Sequence, residues 1–388
     1  MGVKNYLIIT GIALGLALDG YAQGEAPENK GQLHGNFQVL FQQYNPDSII
    51  GAQVPDAEAA MNAYGNFTYT YGKLTAGVRF ESYQNAILGF PGRFKGSGIG
   101  SRYVRYQNDE LDITVGNFYE QFGNGMTYRT YWEPNLGIDN AMDGVRVIYR
   151  PFKGFTTKAV YGQQRFDFDS RIIHGNGIVR GLDGEWVINE SFPALQDKSL
   201  QIKVGGSFVS KYQSGTTVSR DTNVFILPNN VGCYGGRLGL SYKDFQFQGE
   251  YVTKINDPNA DNGYIYKKGH AIFANMAYSQ KGFGITANAK FVDNMAFRSD
   301  RDALLFDVPI NFLPAITRQH TYNLAATLYP YATVLNGETG VSGELFYTFK
   351  KGSPLGGKYS TYISLNVAAV NSLDTTHVGG REELINGY

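Results

Sequence analysis

Residues 61–83, MNAYGNFTYTYGKLTAGVRFESY, decide the fold class of this chain of 388 residues. On both sides of Gly72-Lys73, apolar and polar side chains alternate. Since successive side chains of a strand point to opposite faces, the stretch predicts a β-hairpin with one apolar and one polar face. Each arm has about 10 residues, which is the length that a tilted strand needs to cross a bilayer. The apolar parity comprises Phe67, Tyr69, Tyr71, Leu74, Ala76, Val78 and Phe80.

The same unit recurs along the chain, so that about 16 strands are predicted. Short and long connections alternate between them up to about residue 293, as in outer-membrane barrels. The sequence therefore predicts an all-β fold, a transmembrane antiparallel up-and-down β-barrel. After residue 318 this alternation is unclear, and one extra or missing strand is expected near 300–340. The predicted strands are 33–44, 61–71, 74–84, 100–107, 110–118, 143–150, 155–164, 177–188, 200–212, 231–242, 245–255, 268–278, 283–293, 319–330, 340–349 and 358–368.

The two ends of the chain predict its compartment and extent. Lys4, the apolar run 6–18 and the small residues around Ala22 predict a secretory signal peptide over residues 1–22. A short periplasmic lead over 23–32 and a barrel over 33–388 follow. Because residues 369–388 do not alternate as a closing strand does, the barrel is expected to be incomplete. These features predict the outer membrane of a Gram-negative bacterium.

Composition disfavours several other classes of protein. With 34 basic and 34 acidic residues, the chain has no basic footprint for nucleic acid. The single cysteine, Cys233, cannot form an intramolecular disulfide, and the five histidines lack the spacing of metal ligands. Residues 257–263 resemble the start of a calcium loop, but Lys268 stands where the bidentate acid belongs. We predict no metal, no cofactor and no catalytic residue.

Residues 117–142 form the most unusual predicted loop, because they combine many aromatic and charged side chains. One interpretation is a loop folded into the lumen, where Arg129 faces carboxylates across a constriction. The alternative is an outer loop held together by its own aromatic cluster. The aromatic members are Tyr119, Phe122, Tyr128, Tyr131 and Trp132, and the charged members are Arg129, Glu120, Glu133, Asp139 and Asp143.

Charged side chains also lie on the polar parity of the predicted strands. A charge on the lipid side costs about 2–4 kcal/mol at the midplane, so we expect these groups to face the lumen. They either tune the selectivity of a solute path or brace the lumen as ion pairs, and the sequence favours neither. The predicted lumen charges are Arg79, Glu81, Arg105, Asp112, Arg146, Lys158, Lys203, Arg237, Glu250 and Lys290.

Residues 115–146 read VGNFYEQFGNGMTYRTYWEPNLGIDNAMDGVR. Together with 179–183, 327–332 and 355–359, this stretch resembles a family of uncharacterised outer-membrane β-barrel proteins from Bacteroidota. The resemblance covers most of the chain after the signal peptide, with Gly116, Phe122-Gly123 and Asp143-Gly144 at matching positions. It implies an outer-membrane location but no activity and no catalytic residues.

Three functions follow from this reasoning. The first is a porin-like channel for small polar solutes, and the second is a non-transporting surface or assembly component whose loops bind partners. The third is an outer-membrane hydrolase, with His174 near Asp167, Asp169 and Ser170 as its only candidate site. Outer-membrane lipid is the expected partner, nucleic acid is not expected, and the oligomeric state stays open.

Overall fold

The computed structural model describes residues 31–373 except 86, 89, 135, 136, 170, 171, 216, 221, 222, 306 and 319–332. One antiparallel sheet of 15 strands dominates it, in which each strand pairs with the next along the chain. The predicted all-β antiparallel meander is thereby confirmed. Its strands are β1 (Gln32–Gln43), β2 (Ala59–Tyr71), β3 (Leu74–Gln84), β4 (Phe94–Gln107), β5 (Leu111–Phe118), β10 (Met142–Phe152), β11 (Phe155–Asp169), β12 (Ile172–Val187), β13 (Leu200–Tyr212), β16 (Asn230–Tyr242), β17 (Phe245–Lys254), β18 (Gly269–Gln280), β19 (Phe283–Asp293), β20 (Gly337–Phe349) and β21 (Thr361–Ser372).

Short elements lie in the connections. Three small hairpins pair β6 (Gln121–Phe122) with β7 (Tyr128–Arg129), β8 (Trp132–Glu133) with β9 (Ile138–Asp139), and β14 (Thr217–Arg220) with β15 (Asn223–Ile226). Two four-residue helices, Ile188–Ser191 and Pro193–Gln196, join β12 to β13. No helix in the described part of the chain is long and apolar enough to span a membrane.

The connections differ between the two ends of the sheet, as predicted. At the short-turn end, two-residue turns join β2 to β3, β10 to β11, β16 to β17 and β18 to β19. At the long-loop end lie the connections 119–141, 213–229 and 294–336. One predicted long connection, 165–176, is wrong, because β11 and β12 extend through most of it.

The alternation that was unclear after residue 318 is settled by one pairing. β19 pairs directly with β20 in antiparallel register, so the connection between them lies at the long-loop end. The turn 350–360 then falls at the short-turn end, and the described sheet has 15 strands, one fewer than the sequence predicted. The predicted strand 319–330 lies outside the described residues.

The two faces of the sheet differ in polarity. On the outer face, Phe67, Val78 and Val115 are each more than 40% exposed, whereas on the inner face Arg79 and Asp112 are buried. Aromatic rings pack along the outer face near the short-turn end, where Phe152 stacks on Phe155 and Phe283 contacts Tyr347. An exposed apolar band with flanking aromatic rings is the surface that a bilayer requires.

The sheet curves around its polar face. Arg165 on β11 binds Glu81 on β3 at 2.7 Å, although three sheet strands lie between β3 and β11. The buried apolar cluster also lies on this side, and it includes Phe122, Met142, Val209 and Phe297. We call the space enclosed by the inner face the lumen.

The described sheet has two free edges, β1 and β21. Fourteen successive antiparallel pairings separate 15 strands, so β1 and β21 run in the same direction. Antiparallel closure therefore requires an odd number of further strands between them. The signal peptide, the lead and the incompleteness of the barrel stay predictions.

Replacing Val78 with Arg places a charge on the outer face, and we expect it to reduce the free energy of unfolding in lipid vesicles by about 2–4 kcal/mol. Denaturant titration of vesicle-folded protein measures this change. The matched control is Thr68→Arg on the polar parity of the paired strand. Equal effects of the two substitutions would contradict the assignment of the faces.

Candidate functional site

Residues 119–134 and 137–141 lie inside the lumen rather than outside the sheet. Phe122 and Tyr128 pack at 4.9 Å between ring centroids and are fully buried with Met126. Glycines on the wall make room for this segment, because a Cβ at Gly181 would lie 2.8 Å from the Phe122 ring. The inserted hairpin, as we call residues 119–130, thus packs against the wall through close contacts.

We call the lumen residues between β5 and β10 the inserted segment, which includes the hairpin. Four charged groups anchor this segment to one side of the wall. Arg79 on β3 binds Glu81 at 2.6 Å and also pairs with Asp139 of the inserted segment. Arg165 on β11 binds the same two carboxylates, at 2.7 Å and 2.6 Å. The quartet of Arg79, Arg165, Glu81 and Asp139 is formally neutral and buried, so it acts as a brace.

Aromatic side chains complete this anchor. Tyr119 accepts a hydrogen bond from Arg79 at 3.1 Å and donates one to Asp139 at 2.8 Å. Burial, and then the charge of Asp139, raise the pKa of the Tyr119 phenol well above its usual value, so the hydroxyl stays a donor. The Arg79 guanidinium also lies 4.1 Å from the Trp132 ring centroid. Tyr119 and Trp132 thus hold the brace in place.

A second group of charges anchors the start of the hairpin. Glu120 accepts a hydrogen bond from Lys158 at 2.7 Å and lies 3.5 Å from Arg146. Asp112 binds Arg146 at 2.9 Å and Arg105 at 2.5 Å. The five groups carry one net positive charge, and the side chains of the three cations are more exposed than those of the two carboxylates.

The tip of the hairpin reaches the opposite wall. The backbone N–H of Asn124 donates to Glu250 on β17 at 2.8 Å, across a sequence separation of 126 residues. Next to Glu250, Arg237 binds Asp183 at 2.7 Å. The hairpin therefore spans the lumen from the end of β5 to β17.

A second segment, residues 294–316, also enters the lumen from the long-loop end. Its strand-like contact with the hairpin consists of Arg129 N–H donating to Ile310 O at 2.8 Å and Phe312 N–H donating to Gly125 O at 2.9 Å. Phe297 and Ile310 are fully buried in the central cluster. Together the two segments pack the long-loop half of the lumen.

Arg129 lies where these two segments meet. Its guanidinium carbon is 4.1 Å from the ring centroid of Phe312 and 4.8 Å from that of Tyr131. The carboxylates Glu120 and Asp139 are held by other cations. The predicted field between Arg129 and opposing carboxylates stays a prediction.

Asp143 was predicted to be among the charges of the lumen, and this prediction is wrong. It shares the strand parity of the exposed Val145, and the buried Met142 has the opposite parity, so Asp143 lies on the outer face. There it contacts His174 at 3.0 Å and Arg102 at 3.3 Å. Asp143 was grouped with the loop 117–142, although it opens the predicted strand 143–150 on the parity opposite to Arg146, and opposite parities face opposite sides of a sheet.

Sequence reasoning missed three parts of the site. Arg165 stands just beyond the predicted strand 155–164, and its partners are 84 and 26 residues away in sequence. The inward course of 294–316 has no periodic pattern that predicts it. The third part is a buried ion-pair group, in which Asp257 binds Lys211 at 2.8 Å and Lys254 at 3.1 Å.

Asp257 also bears on the rejected calcium loop. Burial raises the pKa of its carboxyl, but Lys211 and Lys254 outweigh this effect and lower it. The carboxylate of Asp257 is thus paired with two ammonium groups. Among the described residues, no group of three or more His, Cys, Asp or Glu could hold a metal ion.

The model of a family of unknown function, DUF6029, matches residues 3–385, so the chain belongs to that family. No curated protein matches the sequence. The family assignment carries no activity and no site residues.

Solved structures of three bacterial proteins, one of them a porin, align over most of the chain, although with low scores. OccK3 (OpdO) of Pseudomonas aeruginosa is 9% identical with a TM-score of 0.34, and the alignment covers 88% of this chain and 90% of that one. OpdK of the same organism with vanillate is 10% identical with a TM-score of 0.34, covering 88% and 92%. A BenF-like porin of Pseudomonas fluorescens is 11% identical with a TM-score of 0.31, covering 88% and 99%. Similarities of this size carry no functional argument.

Substituting Arg165 with Gln removes one cation from the buried quartet. We expect the free energy of unfolding to fall by about 3–5 kcal/mol, because two carboxylates lose a buried partner. Lys203→Gln is the control, since its side chain is 42% exposed and its pair with Glu185 is worth about 0–1 kcal/mol. Denaturant titration of both variants measures the loss in the free energy of unfolding. Equal losses in the two variants would contradict the role of the quartet as a brace.

Gly181→Val should displace the Phe122 ring and loosen the inserted hairpin. Cys233, the only cysteine, is buried in the same apolar cluster and therefore reports the change. We expect its reaction with a maleimide to accelerate about tenfold or more. Gly236→Val is the matched control, because a Cβ there meets nothing within 4 Å. Unchanged reactivity in Gly181→Val would show that the hairpin does not pack there.

Proposed function

We propose that this member of the DUF6029 family is a porin-like channel for small polar solutes in the outer membrane of a Gram-negative bacterium, and not an enzyme. The observation that carries the proposal is a curved antiparallel sheet with an exposed apolar outer face, a charged inner face and a hairpin that crosses its lumen. An origin in Bacteroidota rests only on the resemblance of residues 115–146, 179–183, 327–332 and 355–359.

The outer face supports the membrane location. Its apolar side chains would be unfavourable in water over so large an area, whereas a bilayer accommodates them. The strands have 8 to 16 residues, which spans the length that a tilted transmembrane strand needs. The outer face of the sheet therefore supports outer-membrane lipid as a partner of this protein.

The inner face supports passage of polar solutes. Below the inserted hairpin, Arg105 and Lys158 remain partly accessible to water, at 35% and 26% of their side-chain surface. Charged side chains that line a water-filled space tune which solutes enter. Because Tyr119, Glu120 and Asn124 of the hairpin bind Arg79 on β3, Lys158 on β11 and Glu250 on β17, the hairpin forms a fixed constriction rather than a mobile flap.

A second candidate is a non-transporting surface or assembly component, which the packing of the long-loop half favours. Residues 119–141 and 294–316 meet there through backbone hydrogen bonds and a shared apolar cluster. Such packing would suit a sealed barrel whose remaining loops bind partners. Ionic conductance separates this candidate from a channel.

A hydrolase has less support. His174 is engaged with Asp143 on the outer face, and Asp167 accepts a hydrogen bond from the backbone of Phe168. Ser170 lies outside the described residues. A nucleophile, a base and an orienting acid must meet within hydrogen-bonding distance, and the described members of this group do not.

The test is single-channel recording in a planar bilayer. We expect wild-type protein to give stable current steps, and replacement of residues 123–127 by a minimal turn to raise the step size about twofold or more, because the hairpin tip no longer crosses the lumen. The control shortens the hairpin of β14 and β15, where Val224 and Ile226 are exposed. Well-inserted protein that never conducts, in either form, would overturn the channel and favour the sealed component.

A further inference from the structure

We infer that the solutes of this channel are anionic, and that Arg129 recognises their carboxylate, phosphate or sulfate group. The inference rests on the proposed channel function and specifies its substrate class. Two independent observations carry it: the environment of Arg129 and the unequal exposure of charges on the lumen wall.

Arg129 is a cation held by rings rather than by an acid. Phe312 and Tyr131 approach its guanidinium at 4.1 Å and 4.8 Å from the ring centroids. In the part of the chain that the structure describes, no ion pair joins Arg129 to a carboxylate. Rings that contact the flat face of a guanidinium leave the N–H groups on its edge free to bind an anion in bidentate geometry.

The position of Arg129 is fixed by its backbone. Its N–H donates to Ile310 O at 2.8 Å, and Arg129 pairs with Gln121 across the hairpin. Two acids of the same segment have other cations as partners, because Glu120 binds Lys158 and Asp139 binds Arg165. The charge is thus left for a mobile counterion.

The lumen wall also exposes its cations more than its carboxylates. Asp112 and Asp183 have side chains that are 1% and 2% exposed, whereas those of Arg105 and Lys203 are 35% and 42% exposed. Glu185 and Glu344 are accessible acids on the inner face, at 34% and 30%, and cations bind both of them. A solute in the water-filled part of the lumen therefore meets mainly positive groups.

The two regions are connected through the hairpin. Gln121, the cross-strand partner of Arg129, accepts a hydrogen bond from Lys158 through its carbonyl at 2.9 Å. Arg129 and Lys158 therefore flank the same hairpin strand. An anion released from Arg129 on one side of the constriction meets Lys158 and then Arg105 on the other.

The experiment measures ion selectivity and a bound probe. The reversal potential of the reconstituted channel in a KCl gradient gives the ratio of chloride to potassium permeability. We expect wild type to prefer chloride, and Arg129→Gln to lower the ratio about twofold or more. Benzoate should interrupt the wild-type current but not that of Arg129→Gln, and uncharged benzyl alcohol should interrupt neither.

Two variants serve as controls. Arg129→Lys keeps the charge and should restore chloride preference. Arg102→Gln removes an arginine from the outer face, where its side chain is 54% exposed, and should leave selectivity unchanged. Intact strand content by circular dichroism shows that each variant is folded.

The outcomes separate the two proposals. A channel that conducts without chloride preference, or whose selectivity is unchanged in Arg129→Gln, overturns the anion assignment and leaves the channel standing. A folded protein that conducts in no variant overturns the channel itself, and the anion assignment with it.

Discussion

The strict alternation of side chains along each strand is the constraint on which this structure depends. A sheet that faces hydrocarbon must satisfy every backbone polar group within itself, so its strands must pair continuously over their length. Fourteen successive antiparallel pairings meet this requirement, except at the two edges β1 and β21. The apolar parity then lies outside and the polar parity inside. Most charged side chains of the strands lie inside, because a charge that faces lipid is costly, and the pair of Arg102 and Asp143 is an exception on the outer face.

The inserted segments follow from this arrangement. A curved sheet with a polar inner face leaves space that needs filling or hydrating, and glycines such as Gly181 and Gly235 let the hairpin approach the wall. The quartet around Arg165 and Glu81 fixes that approach. Its charges are buried and balanced, so it places the hairpin without attracting solutes. Cations outside the quartet, among them Arg129 and Lys158, then determine the selectivity for solutes.

Much of the fold was predictable, and the hairpin of β2 and β3 shows why. Its alternating parities and the turn at Gly72-Lys73 are local, and its strand bounds agree with the prediction within two residues. The inner position of Arg79 and Asp112 followed from the same rule. The interior arrangement did not, because it depends on pairs such as Arg165 with Glu81 that are distant in sequence. The course of 294–316 lacks any periodic signal. Asp143 was misplaced because it was grouped with the loop 117–142, although it stands on the outer parity of the predicted strand 143–150.

The most direct test of this account is the environment of single spin labels along β3, in protein whose Cys233 is replaced by Ser. Labels at Ala76, Val78 and Phe80 should collide readily with oxygen dissolved in the bilayer and poorly with a water-soluble nickel complex. Labels at Thr75, Gly77 and Arg79 should show no such preference for oxygen, which produces a period of two residues. Equal access of the nickel complex to both parities would contradict a sheet embedded in lipid by its apolar face.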